Sequence, residues 1–311
     1  MKSEETAFGP APWASHSIGK EPHVTLEALQ AGLTVNLIAT ARPFVTCAMV
    51  ETLAQVVELN RQNQFDFLPV TERAINGAVS PRIVGLLEIA SYRSAATLDG
   101  SVAAAMRFLS EENLIGADAS ILEFVRDADH RRCRLVVSGN QISGLVTLSD
   151  LQRLPVRAAL FGLVTYLEIL MAEVIRREFK GTEEWMKRLS EERQQKLRDE
   201  LDKAQKRDGL VDSLLFTQFA DKKTILRKSG HLQHSKEHLV DELGRIQSLR
   251  DHLAHANDYA ASPEAARKTC ETVRLLDKWR EEFSRWLGAE PDRWDSFVTT
   301  PERTPKLRLG E

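Results

Sequence analysis

CRLVVSGNQISGLVTLSD, residues 133–150, decides how the first half of this chain folds. CRLVV is apolar and β-branched, as a buried strand requires. Gly139 and Asn140 supply a tight turn, ISGLVTL returns as a second strand, and a short helix begins near Ser149. Upstream, in ADASILEFVRDADH, Leu122, Val125 and Ala128 follow helical spacing. The order is helix, strand, turn, strand, helix.

An earlier stretch repeats this rhythm. TLAQVVELNRQNQFDFLPV (52–70) reads as helix and strand, TERAINGAVSPR (71–82) as a longer loop, and IVGLLEIASYR (83–93) as the returning strand. Two such βαββα-like segments in tandem resemble a cystathionine-β-synthase (CBS) domain pair over roughly residues 30 to 155. The strongest match is GLVTLSD, which fits the family pattern Gly-h-x-Thr-x-x-Asp at Gly144, Thr147 and Asp150. What the resemblance implies is a nucleotide site in which Thr147 contacts phosphate and Asp150 contacts ribose. The chemistry is apt, since an aspartate can accept two hydrogen bonds from a ribose diol. Threonine and aspartate ahead of an apolar helix are also common caps without any ligand, and both readings stand at this point. Aligning GLLEIAS on GLVTLSD puts Glu88 at the threonine position and Ser91 at the aspartate position. A carboxylate there would repel phosphate, so one nucleotide cleft at most is expected, the one around Thr147 and Asp150.

After LQRLPV the strand signals stop, and Pro155 marks the expected boundary, with no Gly/Ser linker behind it. Leu160, Leu163, Val164, Leu167, Leu170, Met171 and Val174 form a stripe too broad for burial on one side only. The apolar run 159–175 carries Glu168 and Glu173 and reads as a buried helix, too short and too interrupted to span a bilayer. Residues 183–209 are dense in charge and poor in apolar residues, which predicts an exposed helix, either simply solvated or protruding as an arm or lid. Leu214, Phe216 and Phe219 then lead into a helix containing Ile225 and Leu226. Ser262, Pro263 and Glu264 mark a helix start.

LRDHLAHANDY, residues 249–259, carries the second chemical signal. Ile246, Leu249 and Leu253 lie at helical spacing beside Arg250, Asp251 and His255. Arginine clamps phosphate bidentately, and histidine exchanges a proton near neutrality. The segment resembles the Arg-x-x-x-x-His signature of HEPN domains, all-α proteins that include metal-independent ribonucleases. Arg250 and His255 would lie about 140° apart on an ideal helix, so one helix does not aim both at one phosphorus. Asp251 and His255, four apart, share a face. The resemblance implies a homodimer with paired motif helices. There His255 acts as base or acid, Arg250 stabilises the phosphorane, and Asp251 orients the imidazole. Glu168 and Tyr259 are supporting candidates, each equally readable as an ordinary helix-edge charge or a core aromatic. RNA would be cut to a 2′,3′-cyclic phosphate and a 5′-hydroxyl without a metal or other catalytic cofactor.

Composition sets the remaining bounds. The net charge is −3 over 311 residues. From residue 156 onward there are 29 Lys+Arg against 28 Asp+Glu, so RNA contact requires a local patch. Cys47, Cys133 and Cys270 show no paired spacing, which predicts a reducing compartment, no zinc site and no disulfide framework. The N-terminus lacks a signal-like apolar region, and a cytoplasmic, non-membrane protein is expected. No P-loop, dinucleotide fingerprint or Ser/Cys nucleophile context is present.

The expected fold is α+β multidomain: an N-terminal arm at 1–24, a tandem βαββα CBS pair at 25–155, an all-α HEPN-like bundle at 156–290 and a loose tail at 291–311. The leading expectation for function is an endoribonuclease whose dimer responds to an adenosine nucleotide (AMP, ADP, ATP or a relative), as stress or phage-defence effectors do. A non-catalytic nucleotide sensor is the alternative, and an adaptor associated with an antitoxin or nucleotidyltransferase is a third.

Overall fold

The computed structural model describes residues 21–72, 81–95, 97–207, 212–229 and 236–288. The elements run α1 (Glu21–Gly32), β1 (Thr40–Ala41), β2 (Cys47–Ala48), α2 (Leu53–Asn60), β3 (Leu68–Glu72), β4 (Arg82–Leu87), α3 (Val102–Ala105), β5 (Arg107–Phe108), β6 (Leu114–Gly116), α4 (Ile121–Asp127), β7 (Cys133–Ser138) and β8 (Gln141–Thr147). Helices follow: α5 (Leu154–Glu178), α6 (Thr182–Met186), α7 (Glu191–Gln205), α8 (Phe219–Ser229), α9 (Lys236–Ala254) and α10 (Pro263–Trp286). Residues 21–24, expected in an N-terminal arm, belong to α1. The rest of that arm, the tail 291–311 and residues 73–80 of the long loop lie outside the described residues.

The repeat seen in the sequence folds into two four-stranded sheets of identical plan, ordered β1-β8-β7-β6 and β2-β3-β4-β5. Each contains one parallel pair (β2·β3, β6·β7), one antiparallel hairpin (β3·β4, β7·β8) and one short antiparallel edge strand. That edge strand is exchanged. The opening strand of the first repeat, β1, pairs with β8, while the opening strand of the second, β5, pairs with β4. Neither half therefore completes its sheet alone. The hairpins share an irregularity at equivalent places, after Val70 and after Val136.

The exchange explains two glycines. Gly85 faces Phe108 and Gly144 faces Ala41. A Cβ on Gly85 would sit 2.3 Å from the Arg107 carbonyl oxygen, and one on Gly144 would sit 2.8 Å from that of Thr40. Only hydrogen fits where the swapped strand crosses. Val56, Leu68, Val70 and Leu87 build the core of the first repeat, while Ile83, Leu86, Cys133 and Leu135 pack where the two repeats meet. Leu122, Val125 and Ala128 are wholly buried.

The chain divides into two compact units. One comprises residues 1–166 with 234–276, the other 167–233 with 277–311. The unit with the sheets thus also contains α9 and most of α10. Within it Arg245 pairs with Glu271 at 2.8 Å, and Arg274 holds Asp129 through two hydrogen bonds of 2.9 and 2.8 Å.

The other unit is helical and contains a buried polar network. Arg193 grips Asp221, with Nε at 3.0 Å from both carboxylate oxygens and Nη2 at 2.7 Å from one. Lys222, 5% exposed, reaches Glu168 with its ammonium at 3.0 Å and the Thr217 carbonyl at 2.8 Å. The described part of the charge-rich stretch, residues 183–207, is neither one helix nor an arm. It breaks into α6 and α7, buries Trp185, Met186, Leu197 and Leu201, and starts α7 on a Ser190 cap. Four large apolar residues were enough to fasten it.

Every member of the stripe expected on α5 is buried. At 25 residues this helix exceeds the interrupted run read from sequence, and by length and composition alone it qualifies as a membrane span. Its most apolar window is 61% buried inside the protein, as the core helix of a folded domain would be.

Candidate functional site

A cavity of about 690 Å³ opens where the two repeats meet. Thr147, Ser149 and Asp150 form one wall, Phe65, Asp66 and Phe67 from the other repeat form a second, and the Pro43–Val45 segment behind β1 contributes a third. Ala260, Ala261, Ser262, Pro263 and Ala266, at the start of α10, close the remaining side. That wall lies outside the repeated folds.

The chemistry concentrates after β8. Asp150 is 6% exposed, and its Oδ2 accepts from the Thr147 backbone N–H at 2.7 Å and the Thr147 hydroxyl at 3.1 Å. The Arg153 Nε donates to Oδ1 at 2.6 Å, and its Nη2 reaches the Thr40 hydroxyl at 3.3 Å. The Thr147 and Ser149 hydroxyls are 2.8 Å apart. Thr147 and Asp150 therefore form a reciprocal capping box on the short 3₁₀ turn 148–152, and both also line the cavity. The two readings of this motif are compatible: the cap pre-orients a carboxylate that also lines the cleft. Gly144 does not line the cleft; its place is under β1.

Two cavity residues carry no recognisable sequence pattern. Arg132 belongs to the connection before β7. Its carbonyl accepts from the Leu148 N–H at 3.0 Å, which ties it to the Thr147 turn, and its guanidinium lies 5.7 Å from the centre of the Phe67 ring. Both side chains also line a second cavity of about 460 Å³ beside Glu88. Strand register makes Glu88 the counterpart of Thr147, as the alignment expected, because Gly85 and Gly144 take equivalent positions. The Glu88 carboxylate receives Arg132 at 3.0 Å on one oxygen and Arg107 at 3.2 Å on the other.

The Arg250–His255 segment divides at a helix end. α9 stops at Ala254, so His255 follows its last residue. The His255 amide still bonds the Asp251 carbonyl at 3.1 Å, and Ala256 turns left-handed at φ 54°. Ile246, Leu249 and Leu253 are buried, as their spacing predicted. Arg250 pairs with Asp251 at 3.3 Å, so the carboxylate expected to orient His255 is engaged by the neighbouring arginine. His255 is exposed, and its imidazole makes no hydrogen bond among the described residues. The Glu168 carboxylate is taken by Lys222. Tyr259 is buried, with its hydroxyl donating to the Leu151 carbonyl at 2.5 Å. It anchors the chain and does not position His255.

Arg157, at the start of α5, caps the end of α9. It donates to the carbonyls of His252 (3.0 Å), Leu253 (3.1 Å) and Asn257 (2.8 Å). No sequence pattern announced it, because its partners are backbone atoms about a hundred residues away.

Cys47, Cys133 and Cys270 are free and buried, and burial pushes their thiols up to about 11, 12 and 12 respectively. Such thiols stay protonated and unreactive near neutrality.

No protein-family model and no curated protein matches the chain. Solved CBS-domain structures resemble it in part. The CBS domain of a bacterial CNNM/CorC family Mg²⁺ transporter aligns over 44% of this chain and 82% of its own, at 20% identity and TM-score 0.35. The same family's CBS domain in complex with ATP aligns over 42% and 92%, at 21% identity and TM-score 0.33. A hemolysin-like protein containing a CBS domain, from Oenococcus oeni PSU, aligns over 40% and 94%, at 15% identity and TM-score 0.32.

Proposed function

We propose that this chain is an adenosine-nucleotide sensor that reads the ligand in the Thr147–Asp150 cleft and reports it through the end of α9. One observation carries the reading: a capped, buried aspartate and a threonine share one cavity wall, and the start of α10 forms another. The cavity falls within the range of small-molecule sites. Phe65 and Phe67 offer flat apolar surface to a base, Asp150 offers acceptors to a ribose, and Thr147 and Arg153 offer donors to phosphate.

The output follows from connectivity. Ligand contacts at Asp150 act on the turn whose Leu151 carbonyl holds Tyr259, and Tyr259 lies between the end of α9 and the start of α10. A ligand shifts such an arrangement only by its preference for one state over the other.

The test is thermal unfolding and calorimetry with ATP, ADP and AMP on the wild type and Asp150→Asn. At a hundred times Kd a ligand stabilises by about 2.7 kcal/mol, and that shift is expected in the wild type and lost in the variant. Equal shifts in both, or none in either, would reject the reading.

A second reading makes the output catalytic, with Arg250 and His255 from two chains cleaving RNA. The accessibility of His255 at the end of α9 favours it. Purified protein should then release 2′,3′-cyclic phosphate ends in EDTA, and His255→Ala should not; equal cleavage by the two, or none by either, rejects a nuclease built on His255.

A further inference from the structure

The cavity beside Glu88 is the pseudo-symmetric counterpart of the nucleotide cleft, yet its polar lining is different in kind. Arg107, Arg131, Arg132 and His130 surround it, against Glu88 and Glu112. Arg107 stands on β5 where Thr40 stands on β1, since Arg107 faces Leu86 and Thr40 faces Leu145. Arginines from two different elements thus converge on one carboxylate, at 3.2 and 3.0 Å, at the position where the other cleft presents a threonine. Glu88 therefore does more than repel phosphate: it holds arginines that a phosphate would otherwise engage. Arg131 pairs with Asp127 at 3.4 Å, so Arg107 and Arg132 are the two guanidinium groups that make this small cavity an anion site, and Glu88 is the anion they hold.

We infer that Glu88 is a built-in anion that occupies the phosphate position of the second cleft, so that the pair takes ligand in one cleft only and the second is a latent polyphosphate site. This rests on the nucleotide reading of the Thr147 cleft for its meaning, though the latent site can be tested without it. Glu88 is 24% exposed and is held from both sides, so an incoming phosphate must displace a tethered carboxylate from the same arginines. The tether makes the internal anion the stronger competitor, because its local concentration is fixed by the chain. In Glu88→Gln, Arg107 and Arg132 lose their charged partner in this cleft. A triphosphate, with several charges to share among them, is the ligand class that fits.

Isothermal titration of the full chain with ATP, and separately with inorganic triphosphate, tests this in four proteins: wild type, Glu88→Gln, Asp150→Asn and the double variant. Glu88→Gln keeps the side-chain shape, and circular dichroism with a melting curve checks the fold. The expected stoichiometry for ATP rises from one per chain in the wild type to two in Glu88→Gln, and from none in Asp150→Asn to one in the double variant. Inorganic triphosphate should bind only where Glu88 is replaced. No site gained in either Glu88→Gln protein would overturn the inference and leave the Thr147 cleft as it stands. No site in the wild type but one in Glu88→Gln would support the inference and remove the nucleotide reading of the Thr147 cleft. Two sites in the wild type would overturn it.

Discussion

The guanidinium of Arg157 lies over the ring of Tyr259, 5.0 Å from its centroid, while its donors cap the last carbonyls of α9. The first residues of α5 and the corner between α9 and α10 are thereby fastened to each other. Through the Tyr259 hydroxyl they are fastened also to the turn that carries Asp150. Arginine suits this junction because one planar group can donate to several carbonyls and stack on an aromatic face together.

Tyr259→Phe should separate coupling from folding. Removing one buried hydroxyl leaves the Leu151 carbonyl without that donor and should cost about 1 kcal/mol. Hydrogen exchange at residues 249–259, which ATP should slow in the wild type, should respond less in the variant. Burial pushes this phenol up to about 12, so the bond's contribution is fully present below the ordinary tyrosine range and is lost only as pH rises through about 12.

Arg157→Ala should fray the end of α9. Its carbonyl partners are partly open to water, so the loss should be modest, about 1 kcal/mol. Amide exchange of His255 and Asn257, whose N–H groups bond back into the helix, should rise well above any change at Leu243 in its middle.

Asp150→Asn should retain the cap and lose the ligand. The amide oxygen can still accept from the Thr147 N–H, while the amide nitrogen cannot accept from Arg153 Nε, so melting should fall, but by less than in the alanine variant. Asp150→Ala, which also removes the cap, should cost about 1–2 kcal/mol. Comparing the two by denaturation and by ATP titration divides the residue's two roles.

Gly85→Ala and Gly144→Ala should each destabilise by about 1–3 kcal/mol or more, because a methyl would overlap a carbonyl of the exchanged strand. Chemical denaturation measures this. An unchanged midpoint in both variants would show that the strand exchange is not rigid.

Asp129 should shape the acid limb of stability. Burial opposes its ionisation, but the hydrogen bonds and charge of Arg274 outweigh that and hold its carboxyl below the ordinary range. A carboxyl lowered on folding stabilises above its unfolded pKa and ceases to as pH falls through the folded value. Asp129→Asn should therefore melt lower than wild type at pH 7, and the gap should close below about pH 4.

The duplicated rhythm of residues 52–93 and 117–150 was legible because strand and helix periodicities are local, and so were the caps at Asp150 and Ser262 and the buried stripe of α5. The alignment of Glu88 with Thr147 was legible too, since equal registers follow from equal spacing. What the linear pattern could not carry was which strand completes which sheet. The exchange of β1 and β5 is a choice among edges with similar hydrogen-bonding capacity, decided by where glycine lets a second backbone approach. Tertiary structure likewise decided the company each charge keeps. Arg132 and Arg107 converge on Glu88, Glu168 goes to Lys222, Asp251 to Arg250, and Arg157 to bare carbonyls. Electrostatic partners are fixed by distance in space, and side chains far apart along the chain meet only after the core has packed.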